Sequence, residues 1–387
     1  MSGVIIGMSG GVDSSVAAYL LKEQGYDVEG ISFVMWDKDR GIDTQSCCSL
    51  EAVRDVSRTA TQIGIPYRTI DVRVDFMEKV VKPFVNAYLS GVTPNPCVLC
   101  NRFIKFPFLL KEAERRGADY ISTGHYARIE PATDNLPQAE QRAKKSRDSA
   151  RQVFLLKKGI DQKKDQSYVL YVLTQKELGR LILPLGNLTK SAVRKIAEEL
   201  RMQAAERSES QEICFIEGTN YLSFIEQLSP VRKNPGPIVG PDGKVIGTHK
   251  GIHGYTLGQR KGMGISSREP LYVVDIDTAK NTVYAGSREA AKKKEFFVEE
   301  LNWIVPPSHP STGKEKERFK FRASVKVRST MKNRPATIYE EMDSPEAEQK
   351  SVRVVFDEPQ WAPAPGQSAV FYNKDTVIGG GVIKKSA

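Results

Sequence analysis

The sequence has no long apolar run and few cysteines, and both absences limit what the protein can be. No stretch of its 387 residues approaches the roughly 20 consecutive apolar residues that span a bilayer. Nothing near the N-terminus resembles a secretion signal. Five cysteines, an odd number in a chain of this size, do not suit a scaffold held by disulfides. We therefore expect a soluble cytoplasmic protein with no membrane partner.

Positive charge is concentrated in two segments. The net charge is +10, and residues 138–165 carry nine lysines and arginines against four acidic residues. Residues 310–334 carry nine against two, which leaves the rest of the chain near −2. Because phosphate neutralisation dominates affinity for nucleic acids, two basic patches on a neutral body favour a polyanionic partner. The alternative is that each segment is a solvated surface loop.

The pattern of apolar residues divides the chain into an α/β part and a β-rich part. A length of 387 residues predicts two or three domains. Strand and helix signals alternate over the first 124 residues, which predicts an α/β fold with a doubly wound parallel sheet. From about Pro235, short alternating runs and Gly/Pro turns predict all-β structure. We expect a catalytic domain over 1–207 with a charged insertion at 131–151, a central β-rich domain that contacts RNA over 208–287, and a C-terminal β-barrel over 288–387.

A glycine-rich segment follows the first predicted strand and precedes the first predicted helix. It reads Ser9-Gly10-Gly11-Val12-Asp13-Ser14. Glycines let the backbone turn sharply, and the N–H groups at a helix N-terminus attract an anion. The lysine of a Walker A loop, which reaches the outer phosphates, is missing. The segment therefore predicts a loop that grips pyrophosphate and suits cleavage of ATP between its α and β phosphates.

This loop resembles the signature of the PP-loop ATP pyrophosphatase superfamily, which it matches at every position. The resemblance implies that ATP, with Mg²⁺ bridging its phosphates, is held by Gly7, Met8, Ser9, Gly10, Gly11, Val12, Asp13 and Ser14. It also implies a second nucleotide contact at Gly124. Phe33, at the end of the second predicted strand, takes the position beside the adenine. We assign no chemistry to His125, because a core histidine explains it equally well.

Three cysteines are candidates for chemistry. Cys97 and Cys100 form a Cys-x-x-Cys motif in a proline-rich loop predicted over 93–100, and Cys214 lies far along the chain. Cys100 precedes a predicted helix and lies close to basic side chains such as Lys105, a setting that lowers the pKa of a thiol and makes it reactive. A structural zinc would need a fourth ligand, and none stands at finger spacing. Two readings stay open: a catalytic pair that carries sulfur as a persulfide, and an iron–sulfur cluster held by three cysteines.

Longer motifs narrow the resemblance to the tRNA-specific 2-thiouridylase family, over nearly the whole chain. They are Thr93-Pro94-Asn95-Pro96, Cys100-Asn101, Lys164-Asp165-Gln166-Ser167, Ser210-Gln211-Glu212-Ile213-Cys214-Phe215, Gly254-Tyr255-Thr256-Leu257-Gly258-Gln259-Arg260-Lys261-Gly262 and Phe356-Asp357-Glu358-Pro359-Gln360-Trp361. The resemblance implies that Cys100 is the nucleophile and that Cys214 carries the persulfide. The residues that it places against tRNA are Asn95, Pro96, Cys97, Lys164, Asp165, Gln166, Arg328 and Ser329.

The resemblance also implies the reaction. Oxide is a poor leaving group, so ATP first adenylates O2 of the wobble uridine and releases pyrophosphate. Sulfur from the Cys214 persulfide then attacks C2, AMP leaves, and Cys100 forms a disulfide with Cys214. The expected partners are lysine, glutamate and glutamine tRNAs, with a cysteine desulfurase relay or another sulfur-donor protein upstream. Because the wobble base is stacked in the anticodon loop, it must be splayed out to reach the site.

Two positions depart from the family pattern. Cys97 stands where the best-known members carry Asp, so an acid–base role of that carboxylate does not transfer. The same departure favours the alternative of a [4Fe-4S] cluster on the three cysteines. Ser329 follows Arg328 where a tyrosine is common, so we expect a weaker contact with RNA there. Cys47 and Cys48 have no clear partner and are expected to be inert.

Alternation over residues 318–328 predicts a strand that binds RNA, independently of the family resemblance. Its apolar residues, from Phe319 to Val327, point to one face, and its basic residues, including Lys326 and Arg328, point to the other. We expect the cationic face to bind tRNA. The alternative is an exposed edge strand that is protected by its charge.

Overall fold

The structure, a computed structural model, describes residues 1–36, 50–132, 152–206, 213–216, 221–229, 234–307, 320–341 and 351–385. Several features of the sequence lie outside the described residues. They are Cys47 and Cys48, the charged insertion from residue 133 onward, the start of the 318–328 strand and most of the motif that precedes Cys214.

The N-terminal part of the chain alternates strands and helices, as predicted. Its strands are β1 (Gly3–Gly7), β2 (Asp27–Val34), β3 (Tyr67–Asp71), β4 (Tyr120–Thr123), β5 (Ala127–Pro131), β6 (Phe154–Lys158) and β7 (Leu181–Ile182). Five of them form one parallel sheet in the order β3-β2-β1-β4-β7. The strand order reverses between β1 and β4, which confirms the doubly wound α/β fold and creates a crevice beyond their carboxyl ends.

Helices cover both faces of this sheet and continue beyond it. They are α1 (Val12–Glu23), α2 (Leu50–Ile63), α3 (Arg73–Phe76), α4 (Lys82–Leu89), α5 (Pro96–Cys100), α6 (Phe106–Arg116), α7 (Ser167–Leu170), α8 (Gln175–Leu178), α9 (Lys190–Glu199) and α10 (Tyr221–Leu228). Two π-helical turns, Met77–Val81 and Asn101–Lys105, join α3 to α4 and α5 to α6. Of the helices that the structure describes, none combines the length and the apolar character that crossing a bilayer requires.

The second half of the chain is β-rich, as predicted. Its strands are β8 (Gly236–Val239), β9 (Val245–His249), β10 (Tyr272–Asp277), β11 (Thr282–Gly286), β12 (Lys292–Trp303), β13 (Lys320–Lys326), β14 (Arg334–Glu341), β15 (Ser351–Trp361), β16 (Ser368–Asn373) and β17 (Thr376–Ile383). The first four form one sheet in the order β10-β11-β8-β9. The other six pair in the order β12-β15-β14-β13-β16-β17, and β12 also pairs with β17, which closes the predicted barrel.

The hairpin of β5 and β6 extends the sheet of the barrel, although it lies in the N-terminal half of the chain. β6 pairs with β17 at Lys157 and Thr376, and Arg128 of β5 donates to the Asp375 carboxylate at 2.7 Å. One hydrophobic core therefore contains residues of the parallel sheet and of the barrel together. The barrel is packed onto the α/β domain as part of the same core, not tethered to it by a linker.

Residues 92–94, just before α5, lie against the turn that joins β15 to β16 of the barrel. The Thr93 N–H donates to the Pro365 carbonyl oxygen at 2.9 Å, and the Gln367 amide donates to the Pro94 carbonyl oxygen at 3.1 Å. Gly366 adopts a φ of +84°. A Cβ atom there would overlap the Val92 side chain and would lie 2.9 Å from the Thr93 carbonyl oxygen. The contact is therefore fitted to a residue without a side chain.

We predict that Gly366→Ala destabilises the protein more than Gly243→Ala does. Both glycines have left-handed backbones, with φ of +84° and +78°, and such a backbone costs an alanine about 1–2 kcal/mol. Only Gly366 also lacks space, since nothing lies within 4 Å of a Cβ at Gly243. Overpacking adds about 1–3 kcal/mol. Urea unfolding of the two variants measures the difference, and equal midpoints would contradict this account of the contact.

Candidate active site

The predicted phosphate loop leaves the carboxyl end of β1, at the crevice of the parallel sheet, and leads into α1. Gly10 has a φ of +79°, which favours glycine. The Ser14 hydroxyl donates to the Gly11 carbonyl oxygen at 3.1 Å and accepts the Ser9 N–H at 3.1 Å. The loop is thus held in shape by its own hydrogen bonds, and it presents the N-terminus of α1 toward the crevice.

Gly124, the second predicted nucleotide contact, lies directly against this loop. A Cβ atom at residue 124 would lie 2.8 Å from the backbone carbon of Asp13 and 2.8 Å from the nitrogen of Ser14. Real Cβ atoms do not approach backbone so closely, so only glycine permits this packing. The structure therefore brings together two segments that the sequence predicted to bind one nucleotide.

The other predicted ATP residues differ in what they can offer. Met8 is 3% exposed and Val12 is 7% exposed, so both side chains belong to the core and only their backbone atoms can reach a ligand. Phe33 is half-buried at the end of β2, with its ring edge-on to Phe108 at 6.3 Å between centroids. Its place beside an adenine stays a prediction.

Two side chains that the sequence analysis missed converge on the loop. The Nζ of Lys190 donates to both carboxylate oxygens of Asp13, at 2.7 and 2.8 Å. The Tyr126 hydroxyl donates to Asp13 Oδ1 at 2.7 Å. Lys190 is the first residue of α9 and is 8% exposed. A lysine in the first turn of a helix opposes the helix dipole, and this was the available signal in the sequence.

His125, next to Gly124, is a core histidine. Its Nδ1 lies 2.7 Å from the Thr123 hydroxyl, and its ring stacks on Phe106 at 6.0 Å between centroids. Burial, followed by the positive charge of Lys105, lowers its pKa to about 3. The ring is therefore neutral at physiological pH, which agrees with the decision to assign it no chemistry.

Cys97 and Cys100 lie in a helix, so the predicted loop over 93–100 is wrong from Pro96 onward. Proline fits the first position of α5, where its missing N–H costs nothing. The side chain of Asn95 caps this helix by accepting the Val98 N–H at 3.4 Å. One helical turn separates the two cysteines. Cys97 is exposed, whereas Cys100 is 4% exposed.

The structure brings the three predicted cysteines into one neighbourhood. Cys214 is partly buried, and its thiol interacts electrostatically with those of Cys97 and Cys100. None of the three is part of a disulfide in the described residues. Within the described residues no set of three His, Cys, Asp or Glu side chains converges on a point where one metal ion could bind. A cluster does not need that convergence, because its thiolates bind different iron atoms.

The expected low pKa of Cys100 is wrong for this conformation. Burial raises the pKa of the Cys100 thiol to about 12, and the nearby Lys105 charge offsets only part of that rise. The π-helical turn after Cys100 also lets the Lys105 backbone amide donate a hydrogen bond to the sulfur. The folded conformation therefore disfavours the Cys100 thiolate more strongly than water does.

Tyr168 connects several of the residues predicted to contact tRNA. Its hydroxyl group donates to the Ser368 carbonyl oxygen at 2.8 Å and shares a hydrogen bond with Asn95. Two residues earlier, Gln166 forms two hydrogen bonds with the Tyr126 backbone. Its side-chain Oε1 accepts the Tyr126 N–H at 3.0 Å, and its backbone N–H donates to the Tyr126 carbonyl oxygen at 2.9 Å. The 164–166 segment is thereby joined to both the phosphate loop and the cysteine helix.

The Asp165 side chain does not present a carboxylate to RNA in this conformation. It is 4% exposed. Its oxygens accept the backbone N–H groups of Gly159 and Ser167, at 3.2 and 3.1 Å, and the Ser167 hydroxyl at 3.0 Å. These bonds shape the turn that positions its half-buried neighbours Lys164 and Gln166.

The predicted cationic face of the 318–328 strand is also wrong at Lys326. β13 lies between β14 and β16 in the closed barrel, so it is not an edge. Lys326 is 8% exposed, with its Nζ 4.0 Å from the Asp165 carboxylate and 5.7 Å from the centre of the Tyr168 ring. Burial lowers its pKa. The residue bridges the barrel and the catalytic domain.

Arg328 likewise bridges two parts of the chain. Its Nη2 donates to the carbonyl oxygens of Leu257 and Ala362, both at 2.9 Å. Its Nε is buried and has no hydrogen-bond partner among the described residues. The neighbouring Ser329 is exposed. A contact between this pair and tRNA stays a prediction, since Arg328 is already committed to holding the central sheet against the barrel.

A glycine-rich loop between β1 and α1, at the crevice of a doubly wound parallel sheet and with Gly124 packed against it, defines a nucleotide-binding domain of the PP-loop class. Three family models match the chain in succession. They are described as tRNA methyl transferase HUP domain over residues 2–218, tRNA methyl transferase PRC-barrel domain over 223–287, and aminomethyltransferase beta-barrel domain over 293–383.

Full-length relatives give the particular family. The chain is 43% identical over 384 residues to tRNA-specific 2-thiouridylase MnmA of Clostridioides difficile (strain 630), covering 99% of this chain and 98% of that protein. It is 46% identical over 385 residues to tRNA-specific 2-thiouridylase MnmA 2 of Thermoanaerobacter sp. (strain X514), with the same coverage. It is 42% identical over 388 residues to MnmA of Halothermothrix orenii (strain H 168), covering both completely. The chain therefore belongs to the tRNA-specific 2-thiouridylase family.

Solved structures resemble the chain more remotely. A 4-thiouridine synthetase in complex with RNA and bound ATP covers 59% of this chain and 50% of its own, with a TM-score of 0.35 and 17% identity. An NMN synthetase from Francisella tularensis covers 60% and 79%, with a TM-score of 0.30 and 16% identity. Similarities with such low TM-scores and identities do not indicate the substrate of this chain.

We predict that iodoacetamide alkylates Cys100 about 10³-fold more slowly in the folded protein than in urea at pH 8. Alkylation needs the thiolate, and burial raises the pKa of Cys100 from 9.0 to about 12. Because the pKa is raised, the rate in the folded protein should keep rising above pH 9. Mass spectrometry of the peptides follows each cysteine, and each rate is compared with that of the same cysteine in urea. Cys97 is exposed, but burial of its thiol also raises its pKa, so it too should react more slowly in the folded protein. A rate that levels off below pH 8 would contradict the assignment.

Proposed function

We propose that the protein thiolates the wobble uridine of tRNA at C2, using ATP to activate the oxygen and a cysteine persulfide to supply sulfur. The observation that carries the proposal is that one chain combines the phosphate loop with a group of three mutually interacting thiols, Cys97, Cys100 and Cys214. Gln166 and Asn95 link the two through Tyr126 and Tyr168. Family membership supports the substrate, since the relatives are named for tRNA 2-thiouridylation.

The phosphate loop serves the activation step. The N-terminus of α1 and the loop hydroxyls bind the phosphates, and Gly124 packs against the loop where a side chain would not fit. The uridine O2 attacks the α phosphorus, the bond to the β phosphate breaks, and pyrophosphate leaves. The N3 proton of the uridine is lost to solvent. Mg²⁺ bound with ATP would neutralise phosphate charge, and Asp13 is the carboxylate of the loop that could contact it.

The cysteines serve the sulfur step. The terminal sulfur of a Cys214 persulfide attacks C2, and the C2–O bond breaks with AMP as the leaving group. The Cys100 thiolate then attacks the Cys214 sulfur, which forms a Cys100–Cys214 disulfide and releases 2-thiouridine. A cellular dithiol must reduce that disulfide with two electrons before the next turnover. A sulfur-donor protein, for which a cysteine desulfurase relay is our candidate, must reload Cys214.

The RNA is positioned by residues around Tyr168. Asn95, Pro96 and Cys97 begin the cysteine helix, and Lys164 and Gln166 flank the turn that faces it. We infer that the splayed wobble base enters between these two segments and that the substrates are lysine, glutamate and glutamine tRNAs in the cytoplasm. A base that has left the anticodon stack can reach both the thiols and the phosphate loop.

Methyl transfer, which the family-model descriptions mention, needs neither feature of this site. A methyltransferase has no use for cleavage of ATP between the α and β phosphates, or for a pair of thiols that alternates between persulfide and disulfide. The loop and the cysteine cluster together therefore favour sulfur transfer. Analysis of tRNA nucleosides after reaction separates the two products.

We predict that Cys214→Ser lowers single-turnover thiolation by at least about 10³-fold when a persulfide donor is supplied. The same variant should still release pyrophosphate in the presence of tRNA, because adenylation precedes the sulfur step. Liquid chromatography with mass spectrometry of tRNA nucleosides measures 2-thiouridine, and a phosphate-coupled assay measures pyrophosphate. Full thiolation by Cys214→Ser would remove Cys214 from the mechanism.

The same three thiols also suit a second route to the same product. Cys97, Cys100 and Cys214 provide the three thiolates that a [4Fe-4S] cluster needs, and each interacts with the other two. Such a cluster would deliver sulfide at its free iron. The chain's own residues would then be ligands instead of a nucleophile and a sulfur carrier.

We predict that protein purified without oxygen contains almost no iron and that Cys97→Asp retains thiolation. The persulfide route needs only Cys100 and Cys214, and aspartate restores the residue that other members carry at this position. Iron and labile sulfide analysis provides the first measurement, and nucleoside analysis the second. About four irons per chain, lost together with activity in Cys97→Asp, would replace the persulfide route by the cluster route.

A further inference from the structure

The phosphate loop contains an acidic residue at a place that has to accept phosphate groups. Asp13 follows the loop glycines, and its side chain keeps 34% of its surface exposed. Its charge is favourable near the N-terminus of α1, but it repels the phosphates of an approaching nucleotide. Without a Walker lysine, the loop combines an anion-binding helix end with an anion of its own.

Lys190 supplies a compensating charge from 177 residues further along the chain. Its Nζ lies 2.7 and 2.8 Å from the two oxygens of Asp13, and Tyr126 donates to one of the same oxygens. The ammonium group also lies 6.0 Å from the centre of the Tyr126 ring. The Lys190 side chain is only 10% exposed, so solvent ions screen this pair weakly.

The position of Lys190 is held by a second acidic residue. The backbone N–H of Lys190 donates to Asp161 Oδ2 at 2.9 Å, and such backbone hydrogen bonds hold the pKa of Asp161 below its usual range. The negative charge of Asp161 thereby offsets the positive helix dipole at the N-terminus of α9, where a lysine is otherwise unfavourable. By contrast, Lys195 of the same helix is 77% exposed and lies 3.8 Å from Glu199.

We propose that Lys190 is a positioning residue of the ATP site: by neutralising and orienting the Asp13 carboxylate, it keeps the loop attractive to the triphosphate. The inference rests on the proposed binding of ATP at the loop. Lys190 thus provides the positive charge that a Walker lysine provides elsewhere, but it acts through Asp13 and not on the phosphates directly. The adenosine part of the ligand does not depend on it.

The test is calorimetric titration of ATP and of adenosine, without Mg²⁺ so that only protein charges face the triphosphate. Lys190→Met should weaken ATP binding about 10- to 100-fold, because a carboxylate a few ångströms from the phosphates is then uncompensated. Adenosine binding should not change. Lys195→Met, on the exposed side of the same helix, should bind ATP as the wild type does.

A double variant separates charge balance from a structural role. Asp13→Asn combined with Lys190→Met removes both charges and should recover most of the lost ATP affinity. A merely structural Lys190 would leave the double variant as weak as the single one, which overturns the inference. Equal losses of ATP and adenosine affinity in Lys190→Met, or no loss of either, overturn it as well. Wild-type protein that binds no ATP when the titration is repeated with Mg²⁺ overturns the proposed function itself.

Discussion

The hydroxyl group of Tyr168 lies in the buried contact between α7 and the barrel, where it donates to the Ser368 carbonyl oxygen and also bonds to Asn95. Asn95 caps the helix that carries Cys97 and Cys100. Two hydrogen bonds therefore connect the barrel to the thiol chemistry. The barrel is therefore part of the support of the cysteine helix, because this helix begins where the contact places it.

Neighbouring bonds make the contact specific. The Asn302 amide donates to the carbonyl oxygens of Tyr171 and Leu173, at 2.6 and 3.1 Å. The Gln367 amide donates to the carbonyl oxygens of Thr93 and Pro94, just before α5. A shifted docking would leave such buried polar groups unpaired, at a cost of about 1–3 kcal/mol for each group. Apolar packing alone would tolerate small shifts. The polar bonds restrict the barrel to one position, and with it the distance between the cysteines and the phosphate loop.

Local patterns in the sequence predicted the fold well. The contacts that they did not predict join residues that are distant in the sequence. The first strand, the glycine loop and the first helix follow one another within residues 3–23, so neighbouring residues in the sequence determine their geometry. The Lys190–Asp13 pair and the pairing of β6 with β17 join residues from distant segments, and no local pattern encodes them. Alternation in β13 separated its two faces correctly, but it could not show that Asp165 covers the second face at Lys326. At α5, prolines suggested a loop because the Asn95 cap was not recognised.

Burial of Cys100 bears on the proposed sulfur chemistry. It raises the pKa of the thiol to about 12, which makes the thiolate about 10³-fold rarer than that of an ordinary thiol at neutral pH. The proposed attack on the Cys214 sulfur needs this thiolate, and the nearby Lys105 charge favours it. Asn95 caps the helix that carries Cys100 and shares a hydrogen bond with Tyr168. The contact that seats the barrel therefore also holds the helix in which the thiol is buried, so the barrel and the state of Cys100 depend on the same few hydrogen bonds.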